Sequence, residues 1–326
     1  MRSGHNPAKF VQEVAHPARV TVVLLTHIPA LEGYHAGALE VLQASLRSLL
    51  ASTTPPFDLL VFDNASGPET VAFLQAEFAA GRIQYLFLSD RNLGKGGAWD
   101  ILFPAAPGEI IAYADSDVYF HPGWLPAGLA VLETFPRVGM VTCRPMRTLE
   151  ELSSATADWA QAEPLARLER GQSIPWATFR EHDVGLGQPE EEVRRRYEET
   201  QDQKVVFRGQ SALIGAVHWQ FLGFRETLRQ MVPLDLPRPM SVRKFDERLN
   251  AAGLLRLMTT EAFVRHIGNR LPPDLADAVS ALPVLPKPGP VGIADRLLSW
   301  SPVRRVLLGL HNAIFRWYFG PGREGR

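Results

Sequence analysis

The triplet Asp115-Ser116-Asp117 follows the apolar run IIAYA directly, and it is the first place in the chain where chemistry is expected. Two carboxylates one residue apart at a strand end offer hard oxygen ligands. A hard divalent cation binds such ligands while usually keeping several waters and substrate phosphates. A turn that merely uses Asp side chains is the competing reading. The loop Arg91–Gly97 (RNLGKGG) precedes a helical segment. Its closely spaced glycines let backbone N–H groups approach a phosphate, the helix N-terminus adds partial positive charge, and Arg91 and Lys95 add full charges. No GxxxxGK[ST] occurs, and the glycines follow the third apolar run rather than the first, so neither a Walker loop nor a dinucleotide fingerprint is present. Hydride transfer thereby loses its main support. Asp63-Asn64 closes LLVFDN and could read a nucleobase edge or a ribose hydroxyl, or simply form an Asx turn before the next helix. Thr26-His27 closes VTVVLLT, and His266 lies in FVRHIGN, where a lone histidine is more often structural than a ligand.

These residues need strands to carry them. Val20–Thr26, Phe57–Phe62, Ile83–Leu88 and Ile110–Ala114 are strand-like, and helical patterns lie between them at Ala38–Leu50, Glu69–Phe78 and Gly97–Phe103. That alternation predicts an α/β fold: a doubly wound, mainly parallel sheet flanked by helices, with ligands bound beyond the carboxyl ends of the strands. A helix at Leu125–Phe135 and an apolar run at Val138–Thr142 follow. Roughly residues 145–205 are polar and helix-leaning, a helical insertion whose charge-dense part, Glu190–Glu199, reads as a solvated helix face. Apolar patterning resumes at Ser211–Val217, then a helix is expected near Phe245–Ala252 and strands at Leu254–Thr259 and Ala262–His266. Residues 283–292 are a linker by composition.

Composition bounds the function. The 326 residues carry 34 Lys+Arg against 35 Asp+Glu, a net charge of −1, so nothing draws the chain to nucleic acid. With 46% hydrophobic and 21% charged residues the chain is globular. Cys143 is its only cysteine, which excludes a disulfide framework and a cysteine zinc site. The first twenty residues show no apolar run after their basic residues, and no stretch approaches 18 uninterrupted apolar residues, so neither a secretory leader nor a spanning helix is expected. A cytoplasmic protein is the expectation.

Taken in order, VTVVLLT, VFDNASGPET, SDRNLGKGGAWD and IIAYADSDVYFHPGWL resemble the nucleotide-sugar half of family-2 glycosyltransferases with the GT-A fold. GQSALIGAVHWQFLGF and FDERLNAAGLLRLMTTEAFVRHIGN resemble that family's acceptor half, and the likeness spans roughly residues 19–269. The resemblance implies a glycosyltransferase domain over 19–270 divided at 143/144, which leaves an N-terminal extension over 1–18 and, by composition and patterning, a linker with a C-terminal amphipathic helix over 271–326. It implies a donor nucleoside diphosphate sugar, with Thr26 and Asp63 at base and ribose, Arg91 and Lys95 near the diphosphate, and Asp115 on the ribose side. Asp117 would hold Mg2+ or Mn2+, with His266 near the metal or the leaving phosphates. The implied reaction is inverting single displacement, in which a carboxylate takes the acceptor hydroxyl's proton. Asp246 is the first candidate base, Glu247 the second and Asp235 an outside one. Acceptor specificity is expected in residues 145–205, for a carbohydrate or lipid-linked acceptor in polysaccharide, glycolipid or other glycoconjugate synthesis.

Two other functions compete. A sugar nucleotidyltransferase would want a Gly-rich basic loop straight after the first strand, where THIPALEG supplies one Gly and no Lys or Arg. A non-catalytic nucleotide-sugar-binding domain is the other, against which the intact carboxylates argue. The segment Ile293–Phe319 patterns as a basic, aromatic, amphipathic helix. It would either lie on the inner face of the cell membrane, a peripheral contact, or pack on the domain or in a homo-oligomer interface.

Overall fold

The computed structural model describes residues 14–185, 187–234 and 242–282. Asp235, the linker at 283–292 and the 293–319 segment lie outside the described residues. One compact unit runs over residues 17–285. Its first half alternates β1 (Val20–Thr26), α1 (Ala38–Ser52), β2 (Asp58–Asn64), α2 (Pro68–Ala79), β3 (Tyr85–Ser89), α3 (Gly94–Ala105) and β4 (Ile110–Asp115). These elements follow from the apolar runs predicted above, and β1 is buried along its whole length, as a strand covered on both faces must be. A short β5 (Val118–Phe120), α4 (Trp124–Thr134) and β6 (Val138–Thr142) complete this half.

The polar segment is less helical than its composition predicts. It folds into α5 (Ser154–Ala162), β7 (Ala166–Gly171), α6 (Trp176–Gly185) and α7 (Glu190–Glu199) before β8 (Asp202–Phe207) and β9 (Gln210–Ile214). Strand β7 was hidden because its sequence, ARLERG, has little apolar alternation and no residue of it is buried. It is held as the edge partner of β8, in register from Ala166↔Phe207 to Gly171↔Asp202. Helix α7 matches the expected solvated face, burying only Val193. The chain then forms β10 (Gln220–Phe224), α8 (Arg225–Gln230), α9 (Arg243–Ala251), β11 (Leu255–Met258), β12 (Val264–His266) and α10 (Pro273–Ala281).

Ten strands form one sheet in the order β3-β2-β1-β4-β10-β6-β11-β9-β8-β7. Neighbours from β3 to β4 are parallel, as the doubly wound pattern requires. Strand β10 enters antiparallel between β4 and β6, β11 runs parallel to β6, and β9, β8 and β7 add an antiparallel meander. The parallel half thus has the strand arrangement expected of a GT-A fold. The second half builds a wall beside it. Each sheet face has its own core: Leu24, Leu46, Trp124 and Leu222 belong to one, and Trp99, Phe103, Phe221 and Phe245 to the other. Helix α10 packs Leu275 and Val279 against Ala44 and Tyr119, within the same compact unit. Among the described residues no helix is long and apolar enough to cross a membrane.

Candidate active site

The carboxylate turn sits where β4 ends, and backbone bonds fix it on three sides. Asp115 N–H donates to Trp219 O at 2.8 Å, Ser116 N–H to Leu25 O at 3.0 Å, and Ile267 N–H to Asp117 O at 2.7 Å. Because β5 and β12 pair antiparallel with Val118 opposite His266, the imidazole arrives beside the turn. His266 Nε2 lies 3.2 Å from Asp117 Oδ2, and Asp117 Oδ1 is buried without a hydrogen-bond partner. A lone histidine far away in sequence is therefore part of this site. Asp115 is held differently. Lys95 Nζ donates to its Oδ2 at 2.6 Å and the Tyr113 hydroxyl to its Oδ1 at 2.5 Å. Burial, reinforced by Asp115, pushes the Tyr113 pKa well up, so the hydroxyl stays a donor.

Lys95, Asp115, Ser116 and Asp117 line a pocket of about 270 Å3 together with His27, Asn64, Asn92, Gly94 and Asn269. The Asn64 carbonyl accepts from His27 Nδ1 at 2.7 Å, so His27 Nε2 is the acceptor for Asn92 Nδ2 at 3.1 Å. Asn64 Oδ1 accepts the Leu93 N–H at 2.8 Å, which ties the glycine loop to the end of β2. Gly94 adopts φ +67°, a left-handed conformation that glycine takes without steric cost as the chain turns into α3. His27, Asn64 and Asn92 thus form a brace the sequence did not disclose, since each is an ordinary turn residue and only the parallel β1–β2 and β2–β3 pairings bring them together.

The other predicted residues fall in several places. Thr26 and Asp63 are direct cross-strand partners, both almost fully buried, and Thr26 Oγ1 and Asp63 Oδ1 each lack a hydrogen-bond partner. Asp63 Oδ2 also accepts the Ser66 N–H at 3.1 Å, so the Asx-turn reading of this position holds as well. Lys95 faces the pocket, whereas Arg91 is exposed and paired with its neighbour Asp90 at 3.2 Å. Asp246 and Glu247 part company on α9. Glu247 is exposed and bonded to Arg243 at 2.8 Å. Asp246 is buried, its Oδ1 2.8 Å from Arg256 Nη2 and its Oδ2 3.8 Å from His218 Nδ1. His218 precedes Trp219, whose carbonyl holds Asp115 and whose ring stands 5.5 Å from that of His266.

His182, on α6, also joins the site. Its ring is stacked 6.3 Å from Trp219 and lies 6.1 Å from His266. Arg144, buried at the end of β6, donates to Val264 O at 3.1 Å and to Thr178 O and Glu181 Oε2 at 2.8 Å, which clamps α6 onto β12. No motif marks His182; only that clamp brings it near. Burial, with the charge of His266, lowers the His182 pKa to about 4. Burial also opposes the charge on His266, but the hydrogen bond and charge of Asp117, helped by Asp115, outweigh it and raise the pKa. In the metal-free chain the two rings should titrate apart, His182 near pH 4 and His266 above the usual 6.5, as NMR of the ring protons can check. The sign for stability follows. The contribution of neutral His182 is whole above pH 6.5 and is lost as pH falls through about 4, while that of His266 is whole below 6.5 and is lost as pH rises through its raised value.

Comparison with known proteins agrees with this class of site. Residues 34–187 match the model of glycosyl transferase family 2. An uncharacterized glycosyltransferase of Nostoc sp. is 31% identical over 103 residues, covering 31% of each chain, so this protein spans about a third of that relative's length in the match. Among solved structures, GalNAc-T7 with UDP, GalNAc and Mn2+ aligns with a TM-score of 0.46 at 14% identity, over 91% of this chain and 50% of that one. The mannosyltransferase PcManGT of Pyrobaculum calidifontis with GDP-Man and Mn2+ aligns with a TM-score of 0.42 at 14% identity, over 95% and 88%.

Proposed function

We propose that the chain transfers a sugar from a nucleoside diphosphate sugar to an acceptor hydroxyl, with inversion, in glycoconjugate synthesis. The observation that carries this reading is the pinned Asp115-Ser116-Asp117 turn, with Lys95 on one carboxylate and His266 beside the other. The donor set suits Mg2+ or Mn2+. Asp117 has one unpartnered buried oxygen, and His266 Nε2 lies alongside it. Among the described residues there is no cluster of three or more ligating side chains, so substrate phosphates and waters would complete the shell. A bound divalent cation supplies charge for the departing diphosphate.

The chain's own groups do the rest in this reading. Asp115, oriented by Tyr113 and Lys95, accepts from ribose hydroxyls. Lys95, at the mouth of the glycine loop, approaches the diphosphate. Thr26 Oγ1 and Asp63 Oδ1, two adjacent unpaired oxygens, serve the base or ribose. Asp246 takes the acceptor's proton. Thermal denaturation with UDP, GDP and dTDP, each with and without Mn2+, tests the assignment. One nucleotide should raise the melting temperature only in the presence of the metal, by RT ln(1 + [L]/Kd) in stability. No shift with any of them would refute the reading.

A further inference from the structure

The imidazole of His266 has one polar partner among the described residues, Asp117, 3.2 Å from its Nε2, and the side chain keeps 21% of its surface exposed. Neither a second hydrogen bond from the chain nor full burial therefore fixes the ring. A histidine beside a cation commonly donates its other ring N–H to a carboxylate or carbonyl, and that outer contact sets the plane of the ring. Here two aromatic rings occupy the outer position. The Trp219 ring lies 5.5 Å from the His266 ring at 62°, and the His182 ring 6.1 Å from it at 75°. His182 and Trp219 stack 6.3 Å apart at 19°. All three separations fall in the range of about 4.5–7 Å where aromatic rings attract, and both rings meet His266 edge to face. Two flat walls at steep angles to an imidazole oppose its rotation about the Cβ–Cγ bond.

Both walls are themselves anchored. Trp219 is 8% exposed, and its carbonyl accepts the Asp115 N–H. His182 is held through its neighbour on α6. Glu181 bridges two arginines, with Arg144 Nη2 2.8 Å from its Oε2 and Arg265 Nε 3.1 Å from its Oε1. Arg144 also donates to Val264 O on β12, and Arg265 directly precedes His266 on that strand. The two arginines thus tie the turn of α6 that carries His182 to the strand that carries His266.

We propose that His182 is a positioning residue of the transfer site: its ring, with that of Trp219, holds the His266 imidazole in the plane that turns Nε2 to Asp117. The inference rests on the transfer reading above, in which His266 stands beside the cation, and deepens it by naming what sets that ring. The role belongs to the flat ring of His182 rather than to its nitrogens, so a phenyl ring should replace it and a methyl group should not.

His182→Phe and His182→Ala in the full chain test this with two readouts. The first is the nuclear Overhauser contact between the His266 and Trp219 ring protons in the metal-free protein. The second is Mn2+ affinity by electron paramagnetic resonance, with UDP and separately with GDP. His182→Phe should match the parent in both. His182→Ala should lose the ring contact and bind Mn2+ about 10–100-fold more weakly, the usual cost of removing an outer-shell partner. Glu181→Gln, which loosens the clamp and touches neither ring, should move both readouts in the same direction by a smaller factor, and it carries the test should His182→Ala fail to fold. Asp274→Asn is the control. It removes the partner of Arg265 on α10, leaves Glu181 in place, and should move neither readout. Parent-like behaviour of His182→Ala, or a change in only one of its readouts, would overturn the proposal. Equal weakening in His182→Phe would overturn it too, by assigning the role to a ring nitrogen. Loss of the ring contact in a chain whose parent binds no Mn2+ with either nucleotide would reduce the three rings to packing and locate the failure in the transfer reading.

Discussion

Asp117→Asn is expected to cut transfer by roughly 10³-fold or more while leaving the chain folded. The size follows from what the carboxylate would do. A ligand that helps a cation take up charge on the leaving diphosphate contributes several kcal/mol to the transition state, and about 4 kcal/mol is a thousandfold in rate. The fold should tolerate the change because the Asp117 side chain is 31% exposed and its one hydrogen-bond or ion-pair partner among the described residues is His266. The amide keeps the shape of the turn, whose backbone bonds to Leu25, Trp219 and Ile267 involve no side-chain charge. A second readout comes with it. Without the Asp117 charge the His266 pKa should fall, because burial, which lowers it, is then opposed only by Asp115. Turnover assays with Mn2+ and an NMR titration of the same variant check both. Near-wild-type transfer, or full wild-type activity in EDTA, would remove the metal from the mechanism.

The sequence disclosed the parallel half of the sheet more fully than the site it carries. β1 and β6 occupy the stretches their apolar runs predict, since a doubly covered strand has no choice but a continuous apolar sequence. Strands β7, β8 and β10 were not legible as strands: β7 buries no residue and alternates weakly, while β8 (DQKVVF) and β10 (QFLGF) are mostly buried but too short and too interrupted by polar residues or glycine to read as apolar runs. At the site, Asp115 and Asp117 could be found from their place after a strand. Of their partners, the family resemblance set only His266 near the metal; the contacts themselves could not be read. His266 on Asp117, Lys95 and Tyr113 on Asp115, and His182 on Trp219 and His266 are contacts between segments far apart in the chain, apart from the i, i+2 pair of Tyr113 and Asp115. The β5–β12 pairing and the Arg144 clamp create them. Arg91 shows the converse. Its type and spacing suited a phosphate, but the loop turns it outward to Asp90.

Asp246→Asn should lower turnover by roughly 10²–10⁴, the range for loss of a general base, with nucleotide binding nearly unchanged. The structure complicates this test in a useful way. Arg256 is almost fully buried on β11, where it donates to Ala216 O at 2.8 Å, Leu152 O at 2.7 Å and Asp246 Oδ1 at 2.8 Å. Burial lowers its pKa while Asp246 opposes that shift. Removing its one counter-charge among the described residues leaves a buried cation uncompensated, which costs about 3–5 kcal/mol when such a pair is broken. Asp246→Asn should therefore melt well below the parent, and lost activity alone would not separate a base from a strut. Arg256→Gln separates them. It breaks the same ion pair but keeps the carboxylate. If Asp246 takes the acceptor's proton, Arg256→Gln keeps measurable turnover, whereas folded Asp246→Asn stays inactive. If Asp246 only holds Arg256, the two variants lose stability and activity in step. Glu247→Gln supplies the control, since Glu247 is exposed on the far side of the helix with Arg243, and its loss should leave turnover within a few-fold of the parent. Full activity in folded Asp246→Asn would pass the role to Glu247 if Glu247→Gln is the inactive variant, and to Asp235 if both stay active.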